Sequence, residues 1–287
     1  MGWVMVSPWV IGFVLFTLWP IFQTFVFSFQ SYDMFHPGKW IQFKNYANLF
    51  QDPSFFRSLG NTAYYTLIAV PLQLLLGLLT AFLMTRNLKG QRFFRSIYYL
   101  PAVITGVASS MIWKLLLQGD FGVINYLLSQ VHINGPAWLA STVWSKPSLI
   151  MMTVWQMGTT MVIYISAINN VPNDLYEAAD VDGASEWTKF WRIMVPSVSP
   201  TTLYLLIIRT IDSFKIFTQV YTLTNENPTP PGGPAESTLM LVVYLYQKAF
   251  SEFKMGYASA IAVVLFLLVL LVTVIQFITS KRWVVYE

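Results

Sequence analysis

The chain has 287 residues, 55% of them hydrophobic and only 10% charged, with a formal net charge of +4. A soluble domain carries about 25% charged residues, so this chain cannot clothe itself in water and the bilayer is its expected solvent. Basic residues set beside apolar runs argue against nucleic acid as a partner, and the lack of cysteine excludes disulfides and thiolate metal sites.

A helix needs ~20 mostly apolar residues to cross the hydrocarbon core, and windows that qualify fall at about 3–28, 62–84, 94–117, 147–169, 197–223 and 256–279. The first opens Met1-Gly2-Trp3-Val4 without a basic region, and its apolar run over 3–29 exceeds a signal-peptide core. It reads as an uncleaved span, to which a basic stretch earlier in the natural gene would be a fitting prelude. Pro37-Gly38-Lys39-Trp40 supplies turn chemistry before the second span, which Asn61 and Thr62 would cap. Pro71 predicts a bend just before Gln73. Asp120 with Gly122 separates the third span from a short helix near 123–129, and 228–234 is a second turn-rich segment. The stretch 239–251, interrupted by Gln247 and Lys248, reads as an interfacial or re-entrant helix leading into the last span. No internal repeat marks an inverted-repeat transporter.

Orientation follows from Lys and Arg near the span ends. Residues 86–95 hold Arg86, Lys89, Arg92 and Arg95, the tail holds Lys281 and Arg282, and the loop after the fourth span holds Lys189 and Arg192. The opposite segments 30–61, 118–146 and 224–255 are far longer yet hold only Lys39, Lys44, Arg57, Lys146, Lys248 and Lys254. The basic side is expected to be cytoplasmic, with both termini on it.

The loop at about 170–196 is the anomaly. Asn173 is a good N-cap, Asp174 and Glu177 favour the first turn, and Gly183 fits the left-handed position that ends a helix. Ser185 can cap a second helix, in which Trp187, Phe190, Trp191 and Met194 recur at i, i+3, i+4, i+7 as one apolar stripe. The small residues Ala178, Ala179 and Gly183 allow a partner to seat closely. An amphipathic loop lying on the lipid surface is the simpler alternative.

In the fifth span Arg209, Asp212 and Lys215 fall in one polar sector with Thr201, Gln219 and Thr222, while Leu203, Ile207, Phe214, Phe217 and Tyr221 take the opposite side. Each charge costs ~2.5–3.5 kcal/mol at the bilayer centre on insertion scales, so none should face lipid. One reading is a salt-bridge ladder that pins the helix to its neighbours. The other is a wet translocation cavity, to which Gln73, Gln156 and its neighbour Trp155 would add amides and an aromatic face for sugar. For any single one of these amides the interhelical hydrogen bond is the preferred reading. His36 and His132 fall in outer loops with no nucleophile or metal-ligand spacing, and the acidic residues near 174–186 lack the spacing of a calcium loop, so no catalytic or metal site is expected.

Glu177-Ala178-Ala179, three residues, Gly183, nine residues, Ile193, one residue, Val195-Pro196 resembles the EAA motif of ABC importer permeases, with Val195 where that motif usually has Leu. Asp182-Gly183-Ala184 and Phe190-Trp191 look like its carbohydrate-uptake branch, related to the permeases for maltose and glycerol phosphate. So do Ser7-Pro8, Pro20, Ser28-Phe29, Ser213-Phe214-Lys215-Ile216-Phe217, Gly232-Gly233-Pro234, Thr238, Tyr244, Tyr246 and 255–260. The resemblance covers essentially the whole chain. It implies a single all-α polytopic domain over 1–287, with six transmembrane helices and a coupling helix between spans four and five, in a bacterial inner membrane. Glu177, Ala178, Ala179, Asp182 and Gly183 would dock on a separate ATPase dimer, which would use the ATP and magnesium. The chain itself has no phosphate-binding G-x-x-x-x-G-K-[ST] loop, and no cofactor of its own is expected. A second related permease, a solute-binding protein and a carbohydrate would be the other partners. The alternatives by physics alone are an ion-coupled transporter or channel using Asp212, and a membrane scaffold without transport.

Overall fold

The computed structural model describes residues 2–86, 89–119, 121–224 and 231–285. Asp120 and residues 228–230 of the turn-rich segment lie outside them. The fold is almost wholly helical. From the N-terminus, α1 (Gly2–Phe13) passes through a π-turn at Val14–Leu18 into α2 (Trp19–Phe27). A small hairpin, β1 (Gln30–Ser31) antiparallel to β2 (Lys39–Trp40), leads to α3 (Lys44–Leu49) and the long α4 (Pro53–Thr85). There follow α5 (Gln91–Val103), α6 (Gly106–Leu116), α7 (Val123–Gln130), α8 (Ser145–Trp155) and α9 (Gly158–Asn169). Next come α10 (Asn173–Val181), then α11 (Glu186–Lys189), a π-turn at Phe190–Met194 and α12 (Val195–Ser197). The chain closes with α13 (Ser199–Phe214), α14 (Thr218–Thr224), α15 (Leu241–Tyr246) and α16 (Met255–Ser280).

Three stretches are helical, long and apolar enough to cross a membrane unbroken: Met5–Phe27, Pro53–Thr85 and Met255–Ser280. Three more crossings exist if bent pairs count as one span each: α5 with α6 (101°), α8 with α9 (44°), and Glu186–Ser197 with α13 (65°). The windows expected at 94–117, 147–169 and 197–223 are therefore broken rather than straight. Hydropathy averages over such breaks; local backbone does not. Ile104 and Thr105 are extended, and Thr105 Oγ1 caps the new helix by accepting from the Ala108 amide at 3.4 Å.

The second span also starts earlier than Asn61. Asp52 accepts from the Ser54 amide at 3.0 Å and Pro53 takes the first helical position, which together begin α4 nine residues sooner. Asn61 and Thr62 hold the 236–241 segment instead. Asn61 Nδ2 donates to the carbonyls of Glu236 (2.8 Å) and Leu239 (3.1 Å), and Thr62 Oγ1 accepts from the Leu241 amide at 3.0 Å. α4 then continues through Pro71 without interruption. In the stretch expected to form an interfacial or re-entrant helix lies α15, whose Leu241, Val243 and Tyr244 are buried against α4 and α16. Tyr244 and Tyr257 both donate to Asp52 Oδ2, the latter at 2.8 Å. Burial pushes the Asp52 carboxyl up, but these hydroxyls and the Ser54 amide outweigh it and hold it below its usual range.

α4 is the central post, packed against α8, α9 and α13. Glycines set the closest approaches. A Cβ on Gly77 would lie 2.7 Å from Thr160 Cγ2, and one on Gly158 would lie 2.5 Å from the Tyr98 carbonyl oxygen. α2 packs along α16, while the apolar face of α1 and α2 is left uncovered, as a lipid- or partner-facing helix would be. The three basic segments meet at one end. Arg95 Nη2 donates to the Met84 carbonyl at 2.5 Å, Arg86 pairs with Glu186 at 2.8 Å, and the Val285 amide donates to Ser199 Oγ at 2.9 Å.

Candidate functional site: a cavity at three helix breaks and a loop at one end

Two of those breaks converge with a further interruption, the one that ends α13. The 104–105 break, the 156–157 break and the non-helical 215–217 link between α13 and α14 all border one cavity of about 500 Å³, with α4 as its remaining wall. Broken helices free backbone polar groups, which is tolerable at membrane depth only where they line protein or water. Gln73, Gln156, Arg209, Asp212, Lys215 and Gln219 all line this space. The structure thus gathers the six residues from four separate elements.

Three of them hydrogen-bond outward to the neighbouring helices. Gln73 Nε2 donates to the Thr153 carbonyl at 3.3 Å, Gln156 Nε2 to Ser109 Oγ at 3.1 Å, and Arg209 Nε to Thr160 Oγ1 at 3.1 Å. Asp212 sits between the two cations but close to neither, 3.9 Å from Arg209 Nη1 and 3.8 Å from Lys215 Nζ. Both pairs lie within one chain segment, so the ladder does not pin this helix to a neighbour; Arg209 does so through Thr160. Asp212 and Lys215 are 52% and 60% exposed. These charges face open space.

Two details differ from the sequence reading. Phe217 lines the cavity instead of the opposite side, because the helix stops after Phe214 and the register is lost. Trp155 packs edge-on against Trp113 at 5.9 Å, and the rings on the cavity wall are Tyr65 and Phe217. Thr153 and Tyr65 join the site with no sequence signal beyond being polar in an apolar run, and Ser213, noted above only for the family resemblance, joins them. Tyr65 and Thr153 share a hydroxyl hydrogen bond at 2.7 Å, joining α4 to α8.

The loop at the basic end is built from local rules. Asn173 is the first residue of α10 and Pro172 takes the cap position, so the expected Asn cap is absent. At the other end the fit is close. Gly183 has φ of 69°, its amide donates to the Asp180 carbonyl at 3.0 Å, and the Ala184 amide donates to the Ala179 carbonyl at 2.9 Å. This is a Schellman closure around a left-handed glycine. Ser185 Oγ then accepts from the Thr188 amide at 3.2 Å and starts α11. Glu177, Ala178, Asp182 and Gly183 are exposed and Ala179 is half-buried, so the turn projects from the body. The apolar stripe divides in two: Phe190 and Met194 are buried, whereas Trp187 and Trp191 stay exposed. The π-turn at Phe190–Met194 departs from the 3.6-residue period on which one stripe depends.

The chain matches the model of the family described as "Binding-protein-dependent transport system inner membrane component" over residues 73–285. It is 38% identical to the probable ABC transporter permease protein YesP of Bacillus subtilis (strain 168), over 100% of this chain and 92% of that one. It is 31% identical to the lactose transport system permease protein LacF of Rhizobium radiobacter, over 98% of this chain and 94% of that one. In structure it resembles a chain from the crystal structure of a bacterial ABC transporter involved in the import of the acidic polysaccharide alginate. That likeness has a TM-score of 0.83 and 25% identity, over 98% of this chain and 94% of that one. These relatives are transport subunits, not enzymes, which sets aside the ion-coupled and scaffold alternatives. The chain belongs to the family of inner-membrane components of binding-protein-dependent transport systems.

Proposed function

We propose that this chain is a permease subunit of an ATP-driven ABC importer for a sugar or oligosaccharide, and that the cavity at the three helix breaks is its half of the translocation path. The observation that carries this reading is the convergence of those breaks on six polar side chains. In this mechanism the amides and hydroxyls exchange hydrogen bonds with sugar hydroxyls, and Tyr65 and Phe217 offer faces to C–H surfaces. The two cations against one carboxylate leave an excess positive charge, which accommodates an acidic cargo such as an alginate oligosaccharide. The named cargoes of the relatives, lactose and alginate, support the carbohydrate class.

The exposure of Asp212 and Lys215 also supports a second, related permease. Charges at bilayer depth cannot face lipid cheaply, so another chain would close the cavity. The basic end would be cytoplasmic, with both termini there. Glu177, Ala178, Ala179, Asp182 and Gly183 would seat in an ATPase dimer that supplies ATP and magnesium chemistry, and this chain would bind no cofactor of its own. Segments 30–61, 118–146 and 224–238 on the opposite end would receive a solute-binding protein. Closure of the ATPase would then open the cavity outward by rigid-body movement, and hydrolysis would reset it. The domain is read as a single unit over 1–287.

The test is uptake by proteoliposomes holding this chain with its permease, ATPase and binding-protein partners, across neutral and acidic labelled oligosaccharides. Accumulation that requires both ATP and the binding protein is the expected result. Uptake that persists without ATP and collapses with an uncoupler would overturn the proposal.

A further inference from the structure

The projecting turn of α10 would move nothing unless the force it receives reaches the cavity. A run of charges crosses the gap between them. Lys189 is only 10% exposed, and its ammonium donates to Asp180 at the end of α10 and to Glu186 at 2.9 Å. The other oxygen of Glu186 accepts from Arg86 Nη2 at 2.8 Å. Arg86 is the C-cap of α4, and its guanidinium lies 4.4 Å from the centre of the Phe82 ring. Phe82 in turn packs edge-on against buried Phe190 at 4.7 Å. The same end of α4 is tied to α5, since Gln91 and Arg95 both donate to the Met84 carbonyl.

A lone exposed ion pair would contribute little, but a network with one buried member and a stacked guanidinium has a defined geometry. α4 is also an unbroken lever. Gln73 on the cavity wall precedes Arg86 by thirteen residues, about 20 Å along one helix at ~1.5 Å per residue. The three other elements bordering the cavity are broken at it, near 104–105, 156–157 and 215–217, whereas α4 runs past it unbroken and so is a stiff route between loop and cavity.

We infer that Arg86 and Glu186 are positioning residues that lock the loop to the end of α4, so that displacement of α10 is delivered to the cavity wall through this helix. The inference rests on the docking role proposed for the α10 turn. It assigns work to two residues that the EAA pattern does not specify, Glu186 in its spacer and Arg86 about ninety positions before it.

The experiment uses the reconstituted complex carrying Arg86→Glu, Glu186→Arg, or both, and measures substrate moved per ATP hydrolysed. Each single reversal brings like charges together, while the double reversal restores an opposite pair and leaves Lys189 its Asp180 partner. Each single variant is expected to co-purify with the complex and hydrolyse ATP, but to move about tenfold less substrate per ATP, within the usual range of coupling between sites. The double variant is expected to regain most of the loss, the non-additivity of a direct pair. Should a reversal fail to assemble, Arg86→Gln and Glu186→Gln replace it with the same expected fall. An unchanged ratio in the single variants, or a double variant no better than the worse single one, overturns the inference. Gly183→Val in the same assay separates the two levels. If it uncouples transport while the Arg86 and Glu186 variants stay coupled, only this inference falls; if it too moves substrate normally, the docking role falls with it.

Discussion

The α10 turn and the central cavity are built in opposite ways. The turn is closed by hydrogen bonds that span at most a few residues, from Ala179 to Ala184 and from Ser185 to Thr188. The cavity is closed by four elements whose lining residues run from Tyr65 to Gln219. The first can be assembled correctly by a short peptide's own rules, whereas the second exists only once distant helices break at the same depth. The turn proposed to receive force is therefore locally robust, and the proposed cargo path depends on the whole fold.

That contrast can be broken most directly at Gly183. No atom lies within 4 Å of a Cβ built there, so its requirement is the φ of 69° and not space. Gly183→Val strains the turn by roughly 1–3 kcal/mol. It is expected to abolish uptake while the protein still inserts and co-purifies with its second permease, which affinity purification and transport assays would read. Gly158→Val is the matching blow to the distributed part. Its side chain would drive into the α5 backbone, and overpacking costs about 1–3 kcal/mol. Loss of folded protein, measured by fluorescence-detected size exclusion, should accompany loss of uptake there, as it should not at Gly183.

A milder change sharpens the account of the cavity. Lys215→Ala removes an exposed cation, and a hydrogen bond to a charged group is worth about 1.5–3 kcal/mol. Uptake of an acidic oligosaccharide should fall tenfold or more, as that range implies, with a neutral one little changed. Equal effects on both would show that Lys215 does not meet the cargo. The smallest effect is expected at Asp52→Asn, at the end of α4 opposite Arg86. Asp52 has a folded pKa below its unfolded value of about 3.9, so its stabilisation is complete above that pH and fades as pH falls through the folded value. The wild-type protein should lose about 1 kcal/mol of thermal stability on acidification below about pH 4, and the Asn variant should not share that loss.

Legibility in the sequence follows the same division. Gly183, Ser185 and the acidic first turn were readable because caps and left-handed glycines act over neighbouring residues. The apolar stripe was half readable, because a π-turn that no local signal announces sends Phe190 and Met194 inward and leaves Trp187 outside. Gln73, Gln156 and Arg209 stood out as polar residues in apolar runs, yet nothing local says that they meet. The breaks that bring them together arise where Thr105, Gln156 and Lys215 leave helical geometry, and hydropathy passes over each one. Phe217 departs from the side its helical spacing predicts for this reason alone. Asn61 illustrates the converse: it looks like a cap, but tertiary pairing with the 236–239 carbonyls outweighs that local preference.

The central claim is that the α10 turn is the face gripped by an ATPase. The chain contains no cysteine, and Val181 is 89% exposed beside that turn. Val181→Cys therefore gives a single reactive thiol on an otherwise thiol-free chain, suited to disulfide or short bifunctional crosslinking in native membranes. The account predicts a crosslinked product with the ATPase subunit whose yield changes between nucleotide-free and ATP-bound states. No product from Val181→Cys or Asp182→Cys, alongside efficient crosslinking to the ATPase from a cysteine elsewhere on the chain, would contradict it.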